Sequence, residues 1–227
     1  MTIVRPSTEE FTNELNPYRL HLQRRNACAL LLLFELGCRA SELVLIRCND
    51  DLKLTTNPTV LIRESNINSS SSRFRADGAS HKTLGRELPI SRGLANLLVD
   101  YIEHDRPRLR SPFNGTLTEY LLVSEKDGGA MTTSGLSYLI DNLFRKVPEL
   151  QLAIHPHQVR ITRGVMLRDS IDNQYDGSNS PLNKSGEMQD TLTTWGGWSP
   201  TSTMPKRYTM QLLQRKIRQY LKGKGDT

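Results

Sequence analysis

The sequence predicts an α+β fold, mainly α, in which several helices enclose one small antiparallel β-sheet. Three observations lead there. A strongly apolar run stops at Gly37, as a helix does at a glycine able to turn left-handed. Two short runs of β-type residues, Thr59 to Arg63 and Arg86 to Ile90, follow one another with no helical stretch between them, which favours an antiparallel sheet over a βαβ unit. Segments with the composition and capping signals of helices then fill most of the second half.

Residues 1–20 form a polar leading segment, in which Pro6-Ser7-Thr8-Glu9-Glu10 reads as a capped helix start. The apolar helix is expected from Arg24 to Leu36. A second follows, with Ser41 and Glu42 near its start and Leu43, Leu45 and Ile46 supplying apolar faces. Thr59-Val60-Leu61-Ile62-Arg63 is the clearest strand, and Asn66 to Ser80, rich in serine, reads as an exposed loop. The second strand, Arg86 to Ile90, carries Pro89, which confines it to an edge or a strand end.

Further helices are expected over Arg92 to Glu103, Thr132 to Arg145 and Pro156 to Asp169. Asp172 to Gln189 is polar and aperiodic and reads as a surface insertion loop. From Met210 to Leu221, the side chains of Met210, Leu213, Ile217 and Leu221 share one face, while Arg215, Lys216 and Arg218 lie mostly elsewhere. That pattern predicts a basic amphipathic helix leading into the tail, residues 210–227. The chain shows no internal repeats.

The 227 residues are enough for a sizeable core, and 30 Lys+Arg against 24 Asp+Glu give a net charge of +6. Such an excess suits a polyanionic partner but is shared by many proteins without one. Cys28, Cys38 and Cys48 form no CxxC pair, so buried, reduced thiols are expected rather than a zinc site. The opening residues have no signal-peptide run, and Ala27 to Leu36 is too short to span a bilayer. A soluble, cytoplasmic protein is the expectation.

Chemistry is concentrated at three places. Near the end, Trp195-Gly196-Gly197-Trp198-Ser199-Pro200-Thr201 precedes Lys206-Arg207-Tyr208-Thr209. A phenol ordinarily ionises near pH about 10, but neighbouring cations favour the phenolate, making Tyr208 a candidate nucleophile at phosphorus. Arg39 stands among apolar neighbours, where a guanidinium needs an anionic partner. That partner is either Glu42, or another core carboxylate, or the oxygens of a phosphate held bidentately. Third, His157 and Arg160 lie three apart just after Pro156, which fits the first turn of a helix. They form either a phosphate seat at a helix N-terminus or a surface histidine beside an acid-paired arginine.

Taken together and in order, these pieces resemble the tyrosine recombinases, the phage-integrase family. Gly37-Cys38-Arg39-Ala40-Ser41-Glu42-Leu43 resembles the first arginine box, and His157-Gln158-Val159-Arg160-Ile161-Thr162 resembles the His-x-x-Arg of the second. Gly196-Gly197-Trp198-Ser199 resembles the Gly-(His/Trp) turn, and Arg207-Tyr208-Thr209 the nucleophile motif. The similarity runs over nearly the whole chain from Pro6, as a single catalytic domain spanning residues 1–227.

The resemblance implies a set of roles. Arg39 and Arg160 would grip the non-bridging phosphate oxygens, with Trp198 donating its indole N–H to them and Glu42 supporting Arg39. His157 would orient the phosphate or take the Tyr208 proton. A lysine on the hairpin between the arginine boxes serves as general acid in the family. Lys82 fits that place, with Arg73, Arg75 and Arg86 as alternatives; of these types only lysine gives up a proton readily. Tyr208 would become a 3′-phosphotyrosine, so that neither metal nor ATP is needed. Double-stranded DNA would be the partner, bound by a tetramer assembled through the C-terminal helix and nucleoid-associated when engaged.

The sequence also departs from the family pattern. Tyr208 lies one residue further from Trp198 than is usual, and Tyr175 and Tyr220 are rival tyrosines without the Arg-Tyr-Thr context. The interval from Arg160 to Trp198 is long, and residues 172–189 hold the excess. The first box arrives at Arg39, which leaves the family's N-terminal DNA-clamp domain outside these residues. Two alternatives share parts of this reading: a type IB topoisomerase or resolvase with the same chemistry, and a basic DNA-binding module that kept the fold and lost the reaction.

Overall fold

The computed structural model describes residues 5–64, 75, 77–80, 82–145, 147, 154–174 and 181–207, together with 210, 214, 217, 218 and 221. In chain order its elements are α1 (Leu20–Leu36), α2 (Ala40–Leu43), β1 (Leu52–Lys53), β2 (Thr59–Ile62), β3 (Arg86–Pro89), α3 (Arg92–Asp100), α4 (Thr133–Phe144), α5 (Pro156–Gln174) and α6 (Pro181–Gly196). Helix α3 runs on through a π turn, Tyr101–Asp105, into a 3₁₀ turn, Arg106–Leu109.

Helix α1 is the axis of the molecule. Its Leu22, Leu30, Leu32, Leu33 and Leu36 are all buried, and a helix that is apolar on most of its circumference belongs inside. It packs against α2, α3, α4 and α5. Each fully buried leucine contributes about 1.5–3 kcal/mol relative to leaving it in water. Three polar residues within it, Gln23, Arg25 and Asn26, are also buried. Arg25 meets that cost by donating through Nη1 to the Val123 carbonyl and through Nε and Nη2 to Asn26 Oδ1. The helix starts one turn earlier than its sequence predicts, because Arg19 at its N-cap gives no side-chain cap to read. It ends at Gly37, whose φ of 55° is left-handed and whose N–H bonds the Leu33 carbonyl.

The sheet is antiparallel in the order β1-β2-β3. Val60 of β2 faces Leu88 of β3, and Ile62 faces Arg86. All four are buried, whereas Leu61 and Glu87 point out, the two-residue alternation of a half-covered sheet. Pro89 closes β3, which is an edge strand. Strand β1, only two residues long, is too short to show any alternation in the sequence.

The three cysteines are buried and unbridged. Among the described residues, no helix is long and apolar enough to cross a membrane.

Four expectations need correction. The second helix is one turn that ends at Leu43, so Leu45 and Ile46, expected on its faces, follow it and donate their N–H groups to the Glu42 and Leu43 carbonyls. Pro6 to Glu10 is not helical; Ser7 is instead drawn into loop bonds, its N–H donating to Gln23 Oε1 and its hydroxyl oxygen accepting from the Asn13 N–H, and too few apolar residues follow to bury a helical face. The loop expected over Asp172 to Gln189 is largely helix: residues 172–174 complete α5, and α6 begins at Pro181. A narrow apolar edge is enough to hold α6, with Met188 and Leu192 packing on Ile171 and Leu167 of α5. Finally, the loop expected over Asn66 to Ser80 turns inward at its end, where Ala79 and Ser80 are buried. There Arg75 donates to the Val44 and Met131 carbonyls and pairs with Asp77, which makes it a staple of the loop.

Candidate active site

Four segments meet where α1 ends. Arg39 is the N-cap of α2, with extended backbone, and its side chain is 26% exposed. Glu42, on the same turn, is buried and accepts the Arg39 backbone N–H on Oε2 at 2.9 Å and Arg39 Nη1 on Oε1 at 3.4 Å. The carboxylate has two more partners. Arg86 Nη2 donates to Oε2 at 3.1 Å, and the Thr83 hydroxyl donates to Oε1 in a short bond. Four donors thus fill the roughly four lone-pair positions of one carboxylate. Burial alone raises its pKa, but the Arg86 charge, the bonds from Thr83 and the Arg39 backbone, and the charge of Arg160 together outweigh burial and hold it below the ordinary value.

Arg86 is a buried cation on the inward side of β3. Besides Glu42 it donates to the Trp195 carbonyl at 2.8 Å and to Thr83 Oγ1 at 2.8 Å. Its fork therefore holds β3 to the end of α6, which fits the planar geometry that only arginine offers. Lys82 sits directly before Thr83 and is exposed. The chain around it is pinned at Leu84, whose N–H bonds the Gly197 carbonyl at 2.9 Å.

Helix α5 starts at Pro156, and its first turn presents His157 at the surface and Arg160 to the interior. Gln158 reaches back to the His155 N–H at 2.9 Å, capping the helix start. Arg160 is 1% exposed. Its Nη1 donates to the Gly37 carbonyl at 2.5 Å and its Nη2 to the Gly196 carbonyl at 2.9 Å. The guanidinium lies 5.0 Å from the Trp195 ring and 5.1 Å from the Trp198 ring, within cation–π range. The two indoles meet edge-to-face at 6.1 Å, an arrangement their quadrupoles favour.

The glycines make this possible. A Cβ at position 37 would stand 2.0 Å from Trp195 Cζ2, and one at 197 would stand 2.5 Å from Arg86 Nη1, at a φ of 64°. Cys38, between Gly37 and Arg39, has its thiol pushed up to about 12 by burial and then by the Glu42 charge, with Arg86 and Arg160 acting the other way.

Arg39, Glu42, Arg160 and Trp198 are therefore brought into one cluster, with Lys82 and His157 exposed on residues adjoining it. Tyr208 and Thr209 lie outside the described residues, as do the rivals Tyr175 and Tyr220 and the alternative Arg73; Arg207, next to Tyr208, is helical, as are 204–206, and exposed. Sequence reasoning missed Thr83 and Trp195 and assigned Arg86 no structural part. The available signal was an arginine on the inward side of a strand, which demands a buried acid.

No family model matches the chain. It is 28% identical over 141 residues to the tyrosine recombinase XerC of Bacillus pumilus (strain SAFR-032), a match spanning 62% of this chain and 40% of that protein. The fold is similar to that of the XerA recombinase (TM-score 0.55, 18% identity, 87% of this chain and 56% of the other). It is also similar to the XerH site-specific recombinase bound to a palindromic difH substrate (0.56, 17%, 93% and 52%). A third similar structure is the Tn1549 transposon integrase in complex with circular-intermediate DNA (0.56, 17%, 94% and 67%). The chain thus spans about half the length of the two Xer structures it resembles. The chain is thus similar in sequence to one tyrosine recombinase and similar in fold, mainly helical with a three-stranded antiparallel sheet, to the XerA and XerH recombinases.

Proposed function

We propose that this chain is the catalytic domain of a site-specific DNA recombinase or integrase that cleaves and rejoins double-stranded DNA through a 3′-phosphotyrosine. The observation that carries the reading is the junction of both arginine boxes: Arg160 donates to the Gly37 carbonyl, two residues from Arg39, and Glu42 lies beneath both. Two guanidinium groups held around one carboxylate suit a phosphodiester, whose non-bridging oxygens gain charge as phosphorus becomes pentacoordinate.

In this reaction the Tyr208 oxygen attacks phosphorus and the bond to the 5′ oxygen breaks. The phenolic proton passes to His157, and Lys82 protonates the departing 5′ oxygen. Arg39, the more open of the two arginines, contacts the phosphate, and Arg160 adds positive potential from its buried seat. The phosphotyrosine ester keeps the energy of the broken bond, so a 5′ hydroxyl rejoins the strand by the reverse steps. The helical residues Met210, Ile217 and Leu221 are 47%, 59% and 63% exposed, which supports docking of the C-terminal segment on a neighbouring protomer in a DNA-bound tetramer.

The test is covalent capture. The chain is incubated at low salt with a pool of nicked duplexes carrying randomised flanks, then run on a denaturing gel. A DNA-shifted protein band that disappears in Tyr208→Phe is the expected result. Retention of DNA without any such band would instead favour the non-catalytic binding module.

A further inference from the structure

We propose that Thr83 is the positioning residue for the general acid, fixing the root of Lys82 against the arginine cluster; the inference rests on the function proposed above. The Thr83 hydroxyl has one hydrogen to give and gives it to Glu42 Oε1, while its oxygen accepts from Arg86 Nη1 at 2.8 Å. Both directions of the hydroxyl are thereby fixed. Glu42 in turn holds Arg39 through backbone and side chain. One residue on, the Leu84 N–H bonds the Gly197 carbonyl in the turn beside Arg160 and Trp198. Lys82 precedes Thr83, so its Cα lies about 3.8 Å from the Cα of a residue whose hydroxyl is anchored to Glu42 and Arg86. An exposed lysine otherwise samples many rotamers, and proton transfer to a leaving oxygen requires it at hydrogen-bond distance. The other tie from this segment toward Arg39 is longer and less direct: the Leu84 carbonyl accepts from Arg86 Nη1 at 3.4 Å, and Arg86 pairs with Glu42.

The step at issue is breakage of the bond between phosphorus and the 5′ oxygen, during which Lys82 Nζ passes a proton to that oxygen. When sulfur replaces the 5′ bridging oxygen, the phosphorus–sulfur bond breaks and the thiolate leaves without a proton. A residue acting through the general acid is therefore dispensable on sulfur and needed on oxygen.

The experiment compares covalent capture rates of the full 227-residue chain on two pools of randomised-flank duplexes, one with a 5′-bridging oxygen and one with a 5′-bridging sulfur. Thr83→Val keeps the side-chain shape and removes the hydroxyl; Thr83→Ser keeps the hydroxyl. We expect Thr83→Val to slow capture at least ten-fold on oxygen and less than about three-fold on sulfur, as Lys82→Ala does more strongly. Thr83→Ser should recover the oxygen rate to within a few-fold. Equal losses on both pools would overturn the proposal, since Thr83 would then act through Arg39 or through folding. So would an unchanged oxygen rate, or a Lys82→Ala variant indifferent to the leaving atom. No capture by the unsubstituted chain on either pool would overturn the proposed function, and this inference with it.

Discussion

Arg160 Nη1 donates to the carbonyl of Gly37 at 2.5 Å, joining residues 123 positions apart in the chain. The bond brings the first turns of α5 onto the chain just before Arg39, and Trp195 fills the space on which both rest. It needs the helix to stop at 37 in a left-handed turn without a side chain.

Gly37→Ala should therefore be costly. The left-handed conformation costs a non-glycine residue about 1–2 kcal/mol, and overpacking against Trp195 adds about 1–3 kcal/mol. We expect a loss of about 2–5 kcal/mol in denaturant unfolding, with the slope unchanged.

Glu42→Gln leaves Arg86 buried beside an uncharged partner. Breaking a buried pair on one side costs about 3–5 kcal/mol, which lowers the unfolding midpoint. The pH dependence follows from the direction of the shift. The folded carboxyl is held below the ordinary value of 4.5, so its stabilising charge is fully present above that value and is lost as pH falls through the folded pKa. The stability gap between the two proteins should be constant above pH about 6 and shrink in acid below about 4.

Arg86→Lys tests whether Arg86 is structural. A lysine ammonium cannot span Glu42, Thr83 and the Trp195 carbonyl as the planar fork does. Stability should fall by about 2 kcal/mol. If Arg86 were instead the proton donor, lysine would serve at least as well and capture on the oxygen substrate would not slow.

The two box arginines should separate. Arg39→Lys, at a half-open position, is expected to cut the capture rate by about 10²–10³ while costing less than about 1 kcal/mol of stability. Arg160→Lys loses two carbonyl bonds and a two-indole seat, so rate and unfolding midpoint should fall together.

Much of this was legible in the sequence because it is local. The α1 stop at Gly37, the Thr132 cap of α4, the Pro156 start of α5 and the strands β2 and β3 are each written in a few adjacent residues. The Arg86–Glu42 pair is not: its members lie 44 positions apart, and no periodicity relates a strand arginine to a helix-turn acid. The first part of α6, residues 181–189, reads as a loop because among its described side chains Met188 alone is buried, and Leu192 and Trp195 follow only later at spacings of four and three. Thr83 carried no signal of its own, since a threonine beside a loop lysine is ordinary until the fold brings Glu42 to it.

In the proposed reaction Tyr208 forms the covalent link at a phosphate held by the Arg39–Arg160 cluster. Mass spectrometry of captured, nuclease-trimmed protein tests it most directly. We predict a nucleotide joined through its 3′ phosphate to the Tyr208 side chain, and no such adduct in the Arg39→Ala protein. An adduct on Tyr175 or Tyr220, or one on Tyr208 that persists undiminished without Arg39, would contradict the account.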